Sequence, residues 1–96
     1  MMKKEIVDIL RSCKSEMGSR YGVNKVGLFG SFVREQQKKR SDIDILVSFS
    51  SEIDLFDFLD LRDFIQARLK NKIDLVMESA LKPELGKRIL AEVEYV

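Results

Sequence analysis

The sequence has no histidine, one cysteine and one proline. Without histidine there is no triad built on imidazole and no His-ligated zinc site. The single thiol, Cys13, excludes an internal disulfide and fits a reducing cytoplasm. It falls on the apolar stripe of the first helix, which favours a buried, inert role. Neither sign of charge dominates, since 17 Lys plus Arg stand against 16 Asp plus Glu. No global field therefore draws the chain to nucleic acid or to an anionic membrane. A face of interleaved aromatic and basic residues, of the kind that holds a nucleic-acid strand, is also lacking. No apolar run follows Met1-Met2-Lys3-Lys4, and none approaches the length of a membrane span. Ninety-six residues of ordinary globular composition are expected to form one soluble intracellular domain, residues 1–96, that buries a core without covalent staples.

The patterning that is present alternates between the two regular periods. Ile6, Ile9, Leu10, Cys13 and Met17 recur at helical spacing from Lys3 to about Ser19, and Gly18 and Gly22 bracket the exit. Lys25 to Gly30 holds Val26, Leu28 and Phe29 and reads as a strand. Ser31 is placed to cap a brief helix through Val33 to Gln36. Gln37-Lys38-Lys39-Arg40 then makes a basic connection to a second strand, Asp42 to Phe49. Ser51 or Asp54 caps a long helix reaching about Lys70. Its apolar residues, Leu55, Phe56, Phe58, Leu59, Leu61, Phe64, Ile65 and Leu69, predict two buried faces. Ile73 to Met77 is a third strand. Pro83 opens a last helix that turns Leu85, Ile89, Leu90 and Val93 inward. The order α-β-α-β-α-β-α predicts an α/β (α+β two-layer) fold with a short three-stranded mixed sheet. Helices are expected on one face, leaving the other open.

Two carboxylates, Asp42 and Asp44, begin the second strand one residue apart, so both point to the same side while Ile43, Ile45 and Val47 point to the other. They stand roughly 7 Å apart, a gap that divalent cations can bridge. Asp74 sits in the third strand among Ile73, Leu75 and Val76, where a charge needs water or a partner. In suitable register it joins the first two. Three anions roughly 5–7 Å apart repel by about 2–3 kcal/mol per pair at an effective dielectric of 20. A divalent cation reverses that penalty, and an all-oxygen donor set suits Mg²⁺ or Mn²⁺. Taken alone, an Asp-x-Asp more often marks the solvent face of an edge strand, and a Gly-Ser is more often a turn than a phosphate site. An EF-hand calcium loop is disfavoured because the run Ile45-Leu46 is apolar where that loop needs oxygen. The sequence has neither a Walker motif nor a G-x-G-x-x-G.

In combination, Gly30-Ser31-Phe32-Val33-Arg34, then Ser41-Asp42-Ile43-Asp44-Ile45-Leu46-Val47, then Ile73-Asp74-Leu75-Val76 resemble the minimal nucleotidyltransferase family of the polymerase-beta superfamily. The resemblance extends to Ile89-Leu90-Ala91-Glu92 and Tyr95. Family members commonly read Gly-Ser-x-Ala-Arg-Gly at the turn. Here Val33 replaces the alanine and Glu35 the final glycine.

The resemblance implies a polymerase-beta-like nucleotidyltransferase core and a site of stated roles. Asp42, Asp44 and Asp74 are its catalytic residues and the ligands of two Mg²⁺ ions (or Mn²⁺), with Asp74 also a candidate general base. Gly30, Ser31 and Arg34 are the nucleotide-binding residues, Arg34 having Glu35 or Asp42 as an alternative ion-pair partner. Lys38, Lys39 and Arg40 would add attraction for phosphates or simply form a solvated turn. ATP is the implied donor. The chain leaves no room for a separate acceptor domain, so the acceptor is expected on a partner. The family implies an antitoxin paired with a helical HEPN ribonuclease toxin and transfer of AMP to a toxin tyrosine. Two alternatives stand beside it, an antitoxin that works by occlusion and a small-molecule nucleotidyltransferase acting as a homodimer. Phe56, Phe58, Leu61 and Phe64 offer a partner surface, although core packing accounts for most of them.

Overall fold

A computed structural model describes residues 1–38 and 41–96. Lys39 and Arg40, half of the basic connection, lie outside the described residues. The elements run α1 (Lys3–Tyr21), β1 (Val23–Phe29), a 3-10 turn (Gly30–Phe32), β2 (Ile43–Phe49), α2 (Leu55–Leu69), β3 (Ile73–Met77), a second 3-10 turn (Glu78–Ala80), α3 (Pro83–Glu92) and β4 (Glu94–Tyr95). The sheet order is β3-β2-β1-β4. β1 pairs antiparallel with β2 and β4, and β2 pairs parallel with β3. The sheet is mixed, as expected, but β4 makes it four-stranded rather than three-stranded.

The period-2 pattern of the strands sorts the sheet into two faces. Val26, Leu28, Ile43, Ile45, Val47, Ile73 and Leu75 form one buried face. Against it pack Ile6, Leu10, Cys13 and Met17 of α1 and Leu61, Ile65 and Leu69 of α2. Each set repeats every three to four residues and so makes one stripe along its helix. Cys13 is buried and its thiol pKa is raised, chiefly by burial. Gly22, at φ 71°, ends α1 in the left-handed conformation that glycine adopts without penalty. Asp54 caps α2, its Oδ1 accepting the Asp57 N–H at 2.8 Å.

Two helices depart from the sequence reading. α2 buries one stripe rather than two faces, with Leu55 and Phe56 66% and 79% exposed at its start. In α3, Ile89 is buried but Leu85 and Leu90 stand about half exposed. The reason is placement, because α3 does not join the other helices. It crosses the opposite face, where Ile89 packs with Phe29 and Leu46, and Val76, Leu81 and Val93 close around them. The face expected to stay open is therefore partly covered, and only a short helix with a narrow contact fits beside the acids. Gly27 permits the close approach of the C-terminal segment, since a Cβ there would come within 2.6 Å of Val93 Cγ2. Among the described residues no helix is long and apolar enough to cross a membrane.

Candidate active site

β1 runs antiparallel to β2 and β2 parallel to β3, so the end of β1 and the starts of β2 and β3 meet at one edge of the sheet. The register there pairs Phe29 with Asp44 and Asp44 with Asp74. Adjacent strands lie roughly 4.8 Å apart, which sets the two carboxylates side by side on the face that α3 shares. Asp42, just before β2, lies on the same side of the chain by parity. Asp44 is half-buried, while Asp42 and Asp74 are exposed.

Asp44 carries the mark of this crowding. Burial, then the neighbouring charges of Asp74 and Asp42, push its pKa up to about 6, against a small opposing pull from Arg34. A carboxyl with raised pKa holds its proton more tightly in the folded chain than in the unfolded one. Its contribution to stability is therefore full below about pH 4 and lost as pH rises through about 6. Replacing Asp44 by asparagine is expected to stabilise the cation-free protein at pH 7.5 by on the order of 1 kcal/mol, allowing for solvent screening. The gain should vanish near pH 4. Thermal melts of the two proteins across that range check both the sign and the window.

The donor set is three carboxylates without nitrogen or sulfur, crowded enough to raise a pKa. That chemistry fits Mg²⁺ or Mn²⁺. Among the described residues no three acidic side chains are gathered tightly enough to enclose one ion as they stand. A cation bound there would have to draw the three side chains together.

Gly30 closes the site from the β1 side. Its φ is 78°, and a Cβ at this position would run into Asp44 Oδ2. The turn that follows is a single 3-10 turn, and it is capped by no side chain. Ser31, expected to cap a helix to Gln36, instead supplies its backbone carbonyl, which accepts the Gln36 N–H at 2.8 Å. Arg34 pairs with neither Glu35 nor Asp42. Its guanidinium meets the Glu92 carboxylate at 2.9 Å, and Glu92 also accepts the Gly30 N–H. Sequence reasoning assigns Glu92 no role although the resemblance reaches it, because no periodicity links it to Arg34, 58 residues away.

Glu35 explains its own position. It stands at φ 56°, in the left-handed region where a β-carbon costs about 1–2 kcal/mol. The turn thus keeps a glycine-type conformation with a glutamate in it. Glu35→Gly is expected to raise stability by about 0.5–1 kcal/mol, the relief of strain being partly offset by the entropy of the unfolded chain. Chemical denaturation at constant slope would measure it.

A larger cleft, of about 580 Å³, opens at the other ends of β2 and β3, lined by Ser48, Phe49, Glu52, Met77 and Glu78 among others. It is remote from the acid pair, so the candidate site is the edge where Gly30, Asp44 and Asp74 meet.

Comparison with known proteins agrees with this fold. The sequence profile of the family described as polymerase beta, nucleotidyltransferase, matches residues 6–96. The protein adenylyltransferase MntA of Thermococcus cleftensis is 44% identical over 93 residues, covering 97% of this chain and 94% of that protein. A solved structure described as a candidate minimal nucleotidyltransferase superposes with a TM-score of 0.84 at 29% identity, over 98% of this chain and 95% of that one. A toxin–antitoxin structure solved with AMP-PNP shares the fold, with a TM-score of 0.72 at 22% identity over 99% of this chain and 72% of that one.

Proposed function

The chain belongs to the polymerase beta nucleotidyltransferase family, and from that premise we propose that it is a protein adenylyltransferase that moves AMP from ATP to a tyrosine of a partner HEPN-type toxin, so acting as an antitoxin. The observation that carries this reading is the pairing of Asp44 with Asp74 across parallel strands, hard against the Gly30 turn. Asp42, Asp44 and Asp74 would hold two Mg²⁺ ions. When bound, such ions lower the pKa of an acceptor hydroxyl and neutralise the triphosphate and the departing pyrophosphate.

The chain's own groups do the rest. Asp74 is exposed at the start of the edge strand β3, where a hydroxyl brought by another protein can reach it and give up its proton. The acceptor oxygen then bonds to the α-phosphorus as the bond to the bridging oxygen breaks and pyrophosphate leaves. The Gly30 N–H, Ser31 and the Arg34 guanidinium orient the phosphates, with Arg34 as a charge-assisted donor. A lone buried thiol and a requirement for ATP accord with a cytoplasmic setting.

Incubation with ATP, Mg²⁺ and a HEPN-type toxin, followed by intact-mass spectrometry, tests the proposal. The toxin is expected to gain the mass of one or more AMP groups, located to tyrosine by peptide sequencing. A toxin that binds yet stays unmodified would contradict transfer.

A further inference from the structure

α3 ends on the active-site face, and its last residue reaches the turn. One oxygen of Glu92 accepts the Gly30 N–H, and the two oxygens lie 2.9 and 3.1 Å from Arg34 Nη1. These donors are the ones that orient the triphosphate in the proposed reaction, and any role of Glu92 toward phosphate rests on that reading. Beside them is a cleft of about 190 Å³ whose lining includes Phe29, Arg88 and Ile89. Pockets for whole drug-sized molecules run to roughly 300–1,000 Å³, so this one suits phosphate groups rather than a nucleoside. Arg88 is exposed on α3 and has no ion-pair partner among the described residues.

A carboxylate and a phosphate present the same face to an amide and a guanidinium, namely anionic oxygens that accept charge-assisted hydrogen bonds. They cannot occupy one set of donors together. The Glu92 side chain is 26% exposed at the very end of its helix. It can swing into solvent by side-chain rotation, leaving Ile89 in place in its contacts with Phe29 and Leu46. We propose that Glu92 is an internal stand-in for polyphosphate, holding the donors of Gly30 and Arg34 in the free protein and being expelled when the nucleotide's phosphates arrive. It keeps the turn in shape until then, and it weakens nucleotide affinity because it competes for the same seat.

Tripolyphosphate with Mg²⁺ probes the seat without the nucleoside. Calorimetric titration of the wild type, Glu92→Gln and Glu92→Ala, each verified as folded by circular dichroism, is expected to show both variants binding about 10-fold tighter, or about 1.4 kcal/mol. Unchanged or weaker binding in the variants, with the wild type binding normally, would overturn the stand-in and make Glu92 a support for Arg34, while the nucleotidyl reading stood. Absence of binding in all three would overturn both. One readout needs no variant. The ¹³C resonance of the Glu92 carboxylate in the wild type should move to the position of a solvated glutamate at saturation, and a resonance that stays put overturns the proposal.

Discussion

Replacing Asp42 and Asp44 together by asparagine is expected to lower AMP transfer on the order of 10³-fold, about 4 kcal/mol in the barrier, in a protein that remains folded. The size of the loss comes from charge. Two of the three carboxylates become neutral, so the site no longer attracts or neutralises divalent cations beside the triphosphate. The survival of the fold comes from position. Asp42 is exposed, and the environment of Asp44 is one of desolvation and like charge rather than of hydrogen bonds that asparagine would forfeit. Activity and stability are therefore expected to move in opposite directions, with transfer collapsing while the cation-free melt rises. A general unfolding defect would lower both, so the pair of measurements separates the two causes.

Gly30→Ala is expected to lower transfer by at least about 10²-fold and to cost about 1–3 kcal/mol of stability. Two effects combine at this residue. Its φ of 78° is one that a β-carbon resists, and the added carbon would have to push aside the Asp44 carboxylate. The turn and the acid that it packs against would both shift from the positions the reaction needs. Gly22→Ala is the control. It stands at nearly the same φ, 71°, but its Cβ would meet only Ser50 Oγ at 3.6 Å, at the far end of β1. It should lose about 1–2 kcal/mol to backbone strain alone, with transfer intact. Equal activity losses in the two variants would mean that backbone strain alone, rather than proximity to Asp44, accounts for the effect.

Much of the arrangement was legible because local periodicity carried it. Ile6, Leu10, Cys13 and Met17 mark a stripe that only a helix makes continuous, and Asp42 and Asp44 share a face of β2 by parity alone. The register that sets Asp44 opposite Asp74 was legible only as an expectation, since pairing depends on contacts between segments 30 residues apart. Other features had no periodic signal at all. β4 is two residues long, too short to alternate. The apolar content of α2 and α3 does not say which neighbour each face will meet, which is why Leu55, Phe56, Leu85 and Leu90 look buried in the sequence and stand exposed. Nearby acids are the partners of Arg34 that the sequence suggests, whereas the chain path brings Glu92 to it from the far end of the sequence. Glu35 shows the reverse case. A departure from the turn's usual glycine leaves the left-handed backbone in place, so the neighbouring structure, rather than that one residue, dictates the shape.

Asp42, Asp44 and Asp74 are proposed to form a cation-dependent nucleotide site at the edge of the sheet. The most direct test is a calorimetric titration of the purified protein with ATP, with and without Mg²⁺, beside the folded Asp42→Asn/Asp44→Asn variant. Binding is expected to require Mg²⁺ and to disappear in the variant. Equal binding by both proteins, or binding indifferent to Mg²⁺, would contradict it.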